Sequence, residues 1–379
     1  MNITVFGAGL VGHAIVKDLA KDDEHFVTVF DIDQEKLDQF IGNTHIRTVH
    51  KNIAEEGDLS SILQDSDLAI SAVPGFMGFE TLVKIIKTST DVVDIAFFPE
   101  DPFALDAFAK EKGVTAVIDC GIAPGLCNII LGYQNSNLDT IYRYECFVGG
   151  LPKVRKMPFQ YKAGFSPIDV LEEYIRPARF IEFGEEITKP ALSEVELIDV
   201  PGVGTLEAFN TDGLRTLLRT MHIPFLKEKT LRYPGHADLM RVLRDHGFFS
   251  YDDVMVNGKK IKPIEITSKL LFKDWAFDKG EEDLTFMRVI IDGEKDKKRF
   301  SFIYDLLDSY DKDTDTTSMA RTTGYTCTAV ARLMLEGKKL QKGICPPEVI
   351  GKDNDNYHFV IDRLAERNIV IEEKIITTE

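Results

Sequence analysis

Short apolar runs and amphipathic stretches alternate along the first third of the chain. The runs at 2–6, 26–30, 45–49, 67–73, 91–95 and 114–119 are mostly β-branched or aliphatic and predict strands. Between them, apolar residues recur at helical spacing over 10–21, 33–40, 58–64, 76–87 and 101–112. Nearly continuous apolar strands separated by helices imply a parallel sheet covered on both faces. The expected fold class is therefore α/β: a Rossmann doubly wound parallel sheet of order 3-2-1-4-5-6, with its ligand crevice where the strand order reverses.

From about Leu138 the rhythm changes. Strands are predicted at 141–148, 179–183, 194–200, 261–268, 284–291 and 299–306, with helices at 168–175, 211–221 and 236–246. Asp292-Gly293 reads as a hairpin signal, and the basic run Lys295–Arg299 as a hairpin tip. This mixture predicts an inserted α+β domain over 126–316, between a first Rossmann part at 1–125 and a return to that domain at 317–379. The helical pattern of Thr317–Leu335 is expected to help cover the parallel sheet. The tail from Asn356 carries a further helix and a possible strand.

The first strand runs into Gly7-Ala8-Gly9-Leu10-Val11-Gly12, a GxGxxG turn opening an amphipathic helix. In such a turn Gly7 permits the bend, Gly9 lets a pyrophosphate approach the backbone, and Gly12 lets helix and strand pack closely. Leu10 and Val11 begin the helix whose unpaired N–H groups face the anion. The second apolar run ends at Asp31, 19 residues beyond Gly12. A carboxylate there bonds the adenosine ribose and repels a 2′-phosphate, so NAD is expected and NADP less so.

Composition narrows the field further. The 379 residues suit two domains, and 44% hydrophobic with 28% charged residues is an ordinary globular balance. The net charge of −17 argues against nucleic acid. No apolar stretch is long enough to imply a membrane span. The chain opens on a strand without a signal-peptide pattern. Five cysteines without CxxC or CxxH spacing imply reduced thiols, a cytoplasmic setting and no metal site.

The predicted strand ends carry the candidate chemistry. Ser71-Ala72-Val73-Pro74-Gly75 closes the fourth strand, where Ser71, Val73 and Pro74 would line the nicotinamide half of the crevice. Asp94 and Asp119 end the next two strands. Buried carboxylates there are costly without partners, so each could meet an amine or a ribose, or cap the following helix. The loop Cys120-Gly-Ile-Ala-Pro-Gly-Leu-Cys-Asn128 is expected to offer backbone N–H groups to a carboxylate, with Cys120 and Cys127 as packing residues.

The segment Asp119–Asn128 closely resembles the DxGxxPGLxN loop of the saccharopine dehydrogenase-like superfamily. The likeness continues through Val148–Pro152, Phe165–Tyr174, Ala191–Glu194, Leu206–Leu217 and Arg232–His236, blocks that look most like its lysine 6-dehydrogenase branch. This resemblance implies NAD-dependent oxidation of the 6-amino group of L-lysine, giving an imine that yields allysine or its cyclic form. The alternatives are saccharopine or another secondary amine as substrate, and a non-catalytic nucleotide sensor. It also implies an amino-acid ligand and a homodimer or higher homo-oligomer. Arg215 is the expected grip on the substrate carboxylate. Thr211 and Tyr233 belong to the same blocks, and Asp212 or Glu145 would take the α-ammonium. His236 is the expected proton-transfer group, and Asp119 the fallback base. For saccharopine, Arg143, Arg176 and Arg179 would have to assemble a second carboxylate site.

Overall fold

The computed structural model describes residues 1–338 and 340–378. The chain forms two units: Met1–Asn137 with Ala320–Val370, and Leu138–Met319 with the segment from Ile371 onward. Strands are numbered along the whole chain. The first unit holds β1 (Asn2–Phe6), β2 (Phe26–Asp31), β3 (Ile46–His50), β4 (Leu68–Ser71), β5 (Val92–Asp94), β6 (Thr115–Val117) and β17 (Gly343–Cys345). Their order is β17-β6-β5-β4-β1-β2-β3. The first six lie as the sequence predicts, and every pairing is parallel. The seventh strand went unpredicted because three residues, between Lys342 and Pro346, are too short a run to show a period. Phe6, Leu82, Ile85, Phe98 and Ile118 are among the apolar side chains that fill this core.

The helix Leu126–Asn137 belongs to this unit rather than to the insertion, because its glycine brings backbones together. A Cβ on Gly132 would lie 2.0 Å from the Glu348 carbonyl oxygen, and one on Gly351 the same distance from that of Ile129. The returning chain is also pinned by charge. Asp18, in the helix Leu10–Leu19, accepts bonds from Arg332 (2.7 Å), Arg367 (2.7 Å) and Thr328 (2.7 Å), while Arg332 also reaches Asp22 at 2.6 Å. Burial alone would raise the pKa of Asp18, but the two guanidinium charges overcome it and hold the carboxylate below its usual range.

The second unit is built on a mixed sheet of nine strands: β7 (Thr140–Pro152), β8 (Ala178–Glu182), β9 (Glu185–Lys189), β10 (Glu196–Val200), β11 (Gly204–Asn210), β12 (Phe225–Arg232), β15 (Asp283–Lys295), β16 (Lys298–Ser309) and β18 (Ile371–Thr378). The main path runs β10-β11-β12-β7-β15-β16-β18, with β8 and β9 branching from β12. β13 (Val254–Val256) and β14 (Lys259–Ile261) form a separate two-stranded ribbon. The helices Pro167–Ile175, His236–Asp245 and Pro263–Trp275 share a core through Val170, Leu171, Ala237, Met240, Leu271 and Trp275.

Four expectations change here. The predicted strand 261–268 is mostly helix, since Pro263 opens a helix that buries Ile264, Thr267, Leu271 and Trp275. Local alternation around Ile264 fits either period, and only the burial further along separates them. The predicted helix 211–221 shrinks to Leu217–Thr220, because Arg215 sits in the left-handed region at φ 46°. Asp292-Gly293 is not a turn: it lies inside β15 at an irregularity in its pairing with β7. The reversal occurs at Asp296-Lys297, within the basic run expected at a tip, with both residues at positive φ. Finally, the end of the chain does not stay in the Rossmann unit, because β18 pairs with β16 in the second sheet.

Candidate functional site

In a doubly wound sheet the ligand binds outside the carboxyl ends of the parallel strands. Gly7 has φ 104°, and a Cβ there would sit 2.4 Å from the Ala72 carbonyl oxygen. A Cβ on Gly12 would be 2.2 Å from the Gly7 carbonyl oxygen. These two glycines are required by the protein's own backbone. Gly9 is different: a Cβ there meets nothing within 4 Å, so the space above the turn is open. Gly9 also precedes the helix Leu10–Leu19 and has no side chain to cap it, leaving first-turn N–H groups for an anion. A second helix, Gly75–Lys87, starts behind Pro74, likewise without a side-chain cap.

Asp31 ends β2 as expected, and its carboxylate already braces the glycine turn. One oxygen accepts from the Ala8 N–H at 2.6 Å and the other from the Asp33 N–H at 2.8 Å. Two carboxylate oxygens retain further lone pairs for ribose hydroxyls. Ser71 and Asp94 are register partners on β4 and β5, and both are fully buried. The Ser71 hydroxyl has no hydrogen-bond partner among the described residues, an arrangement that costs free energy unless a ligand supplies one. Val73 is buried just beyond it, and Asp119 is buried in the left-handed region at φ 53°.

The loop after Asp119 does something other than what its sequence suggests. Its N–H groups are used within the loop: Leu126 donates to the Gly121 carbonyl (2.9 Å), Cys127 to that of Ile122 (3.1 Å), and Gly125 to the Asn128 side chain (3.2 Å). Gly125 is obligatory, since a Cβ would fall 1.9 Å from the Gly121 oxygen. The Asn128 amide in turn donates to Glu348 at 3.0 Å. The loop is a self-closed knot that sets the position of Asp119 and does not offer those three N–H groups to a carboxylate. Cys120 and Cys127 are buried, and burial pushes the Cys120 thiol well up, in keeping with packing roles.

In the second unit, Thr211 follows β11 and donates to Glu228 at 2.7 Å, with the Thr230 hydroxyl 2.8 Å away. Gly213 lies against the same carboxylate, 2.5 Å from where its Cβ would be. Asp212 is held by Arg179 through Nε at 2.9 Å and Nη2 at 2.8 Å. Glu145 is paired to Arg143, which also bonds Asp292 at 3.1 Å. Arg176 is bonded to Glu172 at 3.0 Å. The two carboxylates expected for an α-ammonium thus each carry an arginine. The three arginines expected to form a second anion site are tied to four different carboxylates, Glu145, Asp292, Glu172 and Asp212.

His236 is buried at the start of its helix with both ring nitrogens engaged. Nδ1 lies 2.9 Å from the Phe159 carbonyl and Nε2 lies 2.9 Å from the Tyr174 hydroxyl. The arrangement has Nδ1–H donating to the carbonyl and Tyr174 donating to Nε2. Burial, followed by the positive charge of Arg232, lowers its pKa to about 3, so the ring is neutral throughout the physiological range. Arg232 donates to Tyr174 (3.2 Å) and Glu173 (3.0 Å), and its guanidinium lies 4.5 Å from the centre of the Tyr161 ring. Glu207 caps the same helix by accepting from the Gly235 and Ala237 N–H groups at 2.8 and 2.5 Å. Tyr233 donates to the Pro152 carbonyl at 3.0 Å and lies beneath Arg155.

Sequence reasoning passed over Glu173, Glu207, Glu228 and Arg232. A signal existed: Glu228, Thr230 and Arg232 alternate along β12, so they share one face of that strand. A charged stripe reads as solvated, yet all three are buried. Among the described residues no cluster of His, Cys, Asp and Glu could hold a metal ion, and no helix is long and apolar enough to cross a membrane.

Two family models match this chain: the saccharopine dehydrogenase NADP binding domain over residues 3–117 and the saccharopine dehydrogenase C-terminal domain over residues 121–370. The NADP(+), L-glutamate-forming saccharopine dehydrogenase of Saccharomyces cerevisiae is 24% identical over 69% of this chain, which spans 61% of that protein. The bovine mitochondrial alpha-aminoadipic semialdehyde synthase is 25% identical over 62% of this chain, which spans only 27% of it. Carboxynorspermidine synthase of Vibrio cholerae is 23% identical and is covered to 93%, as is this chain. The solved apo saccharopine dehydrogenase of the yeast superposes with a TM-score of 0.79 at 18% identity, covering 99% of both chains. That likeness establishes the fold.

Proposed function

The chain belongs to the saccharopine dehydrogenase family, and we propose that it is an NAD-dependent oxidoreductase that removes hydride from the amine-bearing carbon of a basic amino acid, with L-lysine oxidised at its 6-amino carbon. The observation that carries the coenzyme half of this reading is the open space at Gly9 above an uncapped helix start, beside an unpartnered buried Ser71 hydroxyl. Gly9, Leu10 and Val11 would hold the diphosphate, Asp31 the adenosine ribose, and Ser71 and Asp94 the nicotinamide half. When bound, the nicotinamide ring accepts the hydride. NAD is favoured over NADP because β2 ends at Asp31, a second carboxylate, Asp33, follows two residues on, and nearby Lys36 lies 3.7 Å from Asp33.

The amine must lose its proton before hydride can leave. An unperturbed lysine amine has a pKa near 10.4, so deprotonation at pH 7 costs about 4–5 kcal/mol. His236 has both ring nitrogens bonded within the protein, so it is not placed to take that proton. We assign the base to Asp119, which the closed loop holds in a strained backbone conformation of the kind that concentrates at reactive positions. His236 instead positions Tyr174 and Arg232. Arg215, also at positive φ, would grip the α-carboxylate. Hydride transfer leaves an imine, and water converts it to allysine and ammonia. Lysine is preferred to saccharopine because Arg143, Arg176 and Arg179, the three arginines considered for a second carboxylate, each already have a carboxylate partner among the described residues.

A spectrophotometric screen tests this reading: lysine with NAD should raise reduced-nicotinamide absorbance and release ammonia. Asp119→Asn and Arg215→Ala should abolish turnover while NAD still binds. Turnover with saccharopine but not lysine would transfer the assignment to a secondary amine, the substrate type for which the end-to-end match to carboxynorspermidine synthase speaks. Failure of both NAD and NADP to bind would remove the oxidoreductase reading altogether.

A further inference from the structure

The amino ends of the first unit's parallel strands lie at the edge opposite the coenzyme crevice, and they carry a cavity of about 510 Å³. Asp67, Asp91 and Lys342 line it from the positions just before β4, β5 and β17. The volume suits a small molecule. Leu63 is the one hydrocarbon side chain among the described residues that line it, so an apolar or aromatic ligand finds little to pack on. Helix Gly75–Lys87 ends here and brings the negative pole of its peptide dipoles to Thr88. Ser89 follows in the left-handed region at φ 63°, where a helix end usually takes glycine. Residues held in such a conformation concentrate at ligand clamps.

The hydrogen bonds already made decide what this lining still offers. Ser60 donates to Asp58 at 2.8 Å, and Thr88 donates to the Ile85 carbonyl at 2.7 Å. Because the Thr88 proton is committed, the 2.9 Å contact between Thr88 and Thr90 has Thr90 donating. These hydroxyls therefore present lone pairs rather than protons. Asp67 accepts from the Asn2 N–H at 2.7 Å and Asp91 from that of Thr115 at 2.6 Å, and a carboxylate holds further lone pairs. Such a lining calls for a group that only donates, and the protein supplies an example. The Lys342 ammonium lies 3.1 and 3.2 Å from the two Asp91 oxygens, on a side chain that is 52% exposed. We propose that this cavity binds a small aliphatic amine through a primary ammonium group, held by Asp67, Asp91 and the hydroxyl oxygens of Ser89 and Thr90. The ligand's ammonium replaces that of Lys342 at Asp91, and the half-exposed lysine side chain swings into water. A diamine or a basic amino acid carries the required group.

The test is calorimetric titration of the full chain with 1,5-diaminopentane at low salt. The diamine should bind with a Kd below about 1 mM, whereas 1,5-pentanediol, of equal length but uncharged, should not bind. Asp67→Asn with Asp91→Asn keeps an acceptor for each backbone N–H and should weaken binding at least tenfold. Asp23→Asn with Glu24→Gln removes the same charge from exposed positions elsewhere on the unit and should not. Lys342→Met should tighten binding, since the competing ammonium is gone. Ser89→Gly eases the backbone and should weaken binding at least threefold without loss of stability, which decides the matter if the paired aspartate variant fails to fold. L-lysine binding at the same aspartates would extend the class to amino acids, and its failure would narrow the class to diamines. Saturating NADH should leave the diamine affinity unchanged; competition would place the diamine in the crevice and overturn the proposal. So would an absence of diamine binding, equal binding of the diol, indifference to the paired aspartate variant, or weaker binding by Lys342→Met. None of these results requires turnover.

Discussion

Two alanine substitutions three residues apart, at Gly9 and Gly12, separate what the glycine turn does for the fold from what it does for a ligand. Gly12→Ala places a methyl 2.2 Å from the Gly7 carbonyl oxygen, a backbone atom that cannot swing aside. The turn must shift, at the cost typical of overpacking, about 1–3 kcal/mol of stability. Gly9→Ala meets no protein atom within 4 Å, and Gly9 has φ −63° and ψ −174°, values that alanine adopts freely. Stability should therefore hold or rise by about 0.4–1 kcal/mol through loss of unfolded-chain entropy. The added methyl instead occupies the space assigned to the diphosphate. If that overlap costs the same 1–3 kcal/mol in the complex, the coenzyme Kd rises by about 5- to 150-fold. Urea unfolding and NADH titration followed by fluorescence measure the two effects independently. A Gly9→Ala protein that is as stable as the wild type and binds the coenzyme equally well would refute the placement of the diphosphate.

Asp18→Ala should cost about 3–5 kcal/mol in urea unfolding, because it strands Arg332 and Arg367 in a largely buried site; a loss below about 1 kcal/mol would show that the clamp is dispensable. Asp283, buried at the start of the helix Ser318–Leu335, accepts from the Ser318 and Met319 N–H groups, yet burial pushes its pKa up to about 6 from 3.8. A raised carboxylate pKa means that its stabilising contribution is full below pH 4 and fades as pH rises through 6. Relative to Asp283→Asn, the wild type should lose about 3 kcal/mol across that window, and parallel stability curves for the two proteins would exclude the effect. His236→Gln should destabilise the second unit by about 1–3 kcal/mol, since it disturbs buried partners, but leave the shape of the rate–pH profile unchanged. A shifted profile would return His236 to proton transfer.

The first unit was readable because its information is local. Strand runs, helical periods and a glycine turn leave their marks within a few residues, and the order of the parallel sheet follows from short right-handed connections. The second unit was less legible. β12 carries a charged stripe that local rules send to solvent, yet Glu228 and Arg232 are buried because Thr211, Tyr174 and Glu173 lie close enough to bond them.

The chain by itself determined the doubly wound sheet, the turn at Gly7–Gly12 and the carboxylate ending β2, since each depends on neighbours in sequence and on the rigid geometry of one turn. Tertiary structure alone decided that Asp31 braces Ala8, that the loop after Asp119 spends three of its N–H groups on itself, that Asp212 and Glu145 belong to arginines, and that His236 is a neutral buried hub. The reason is that a side chain's protonation and partners are set by what distant segments bring within 3 Å of it, and by how much water they leave.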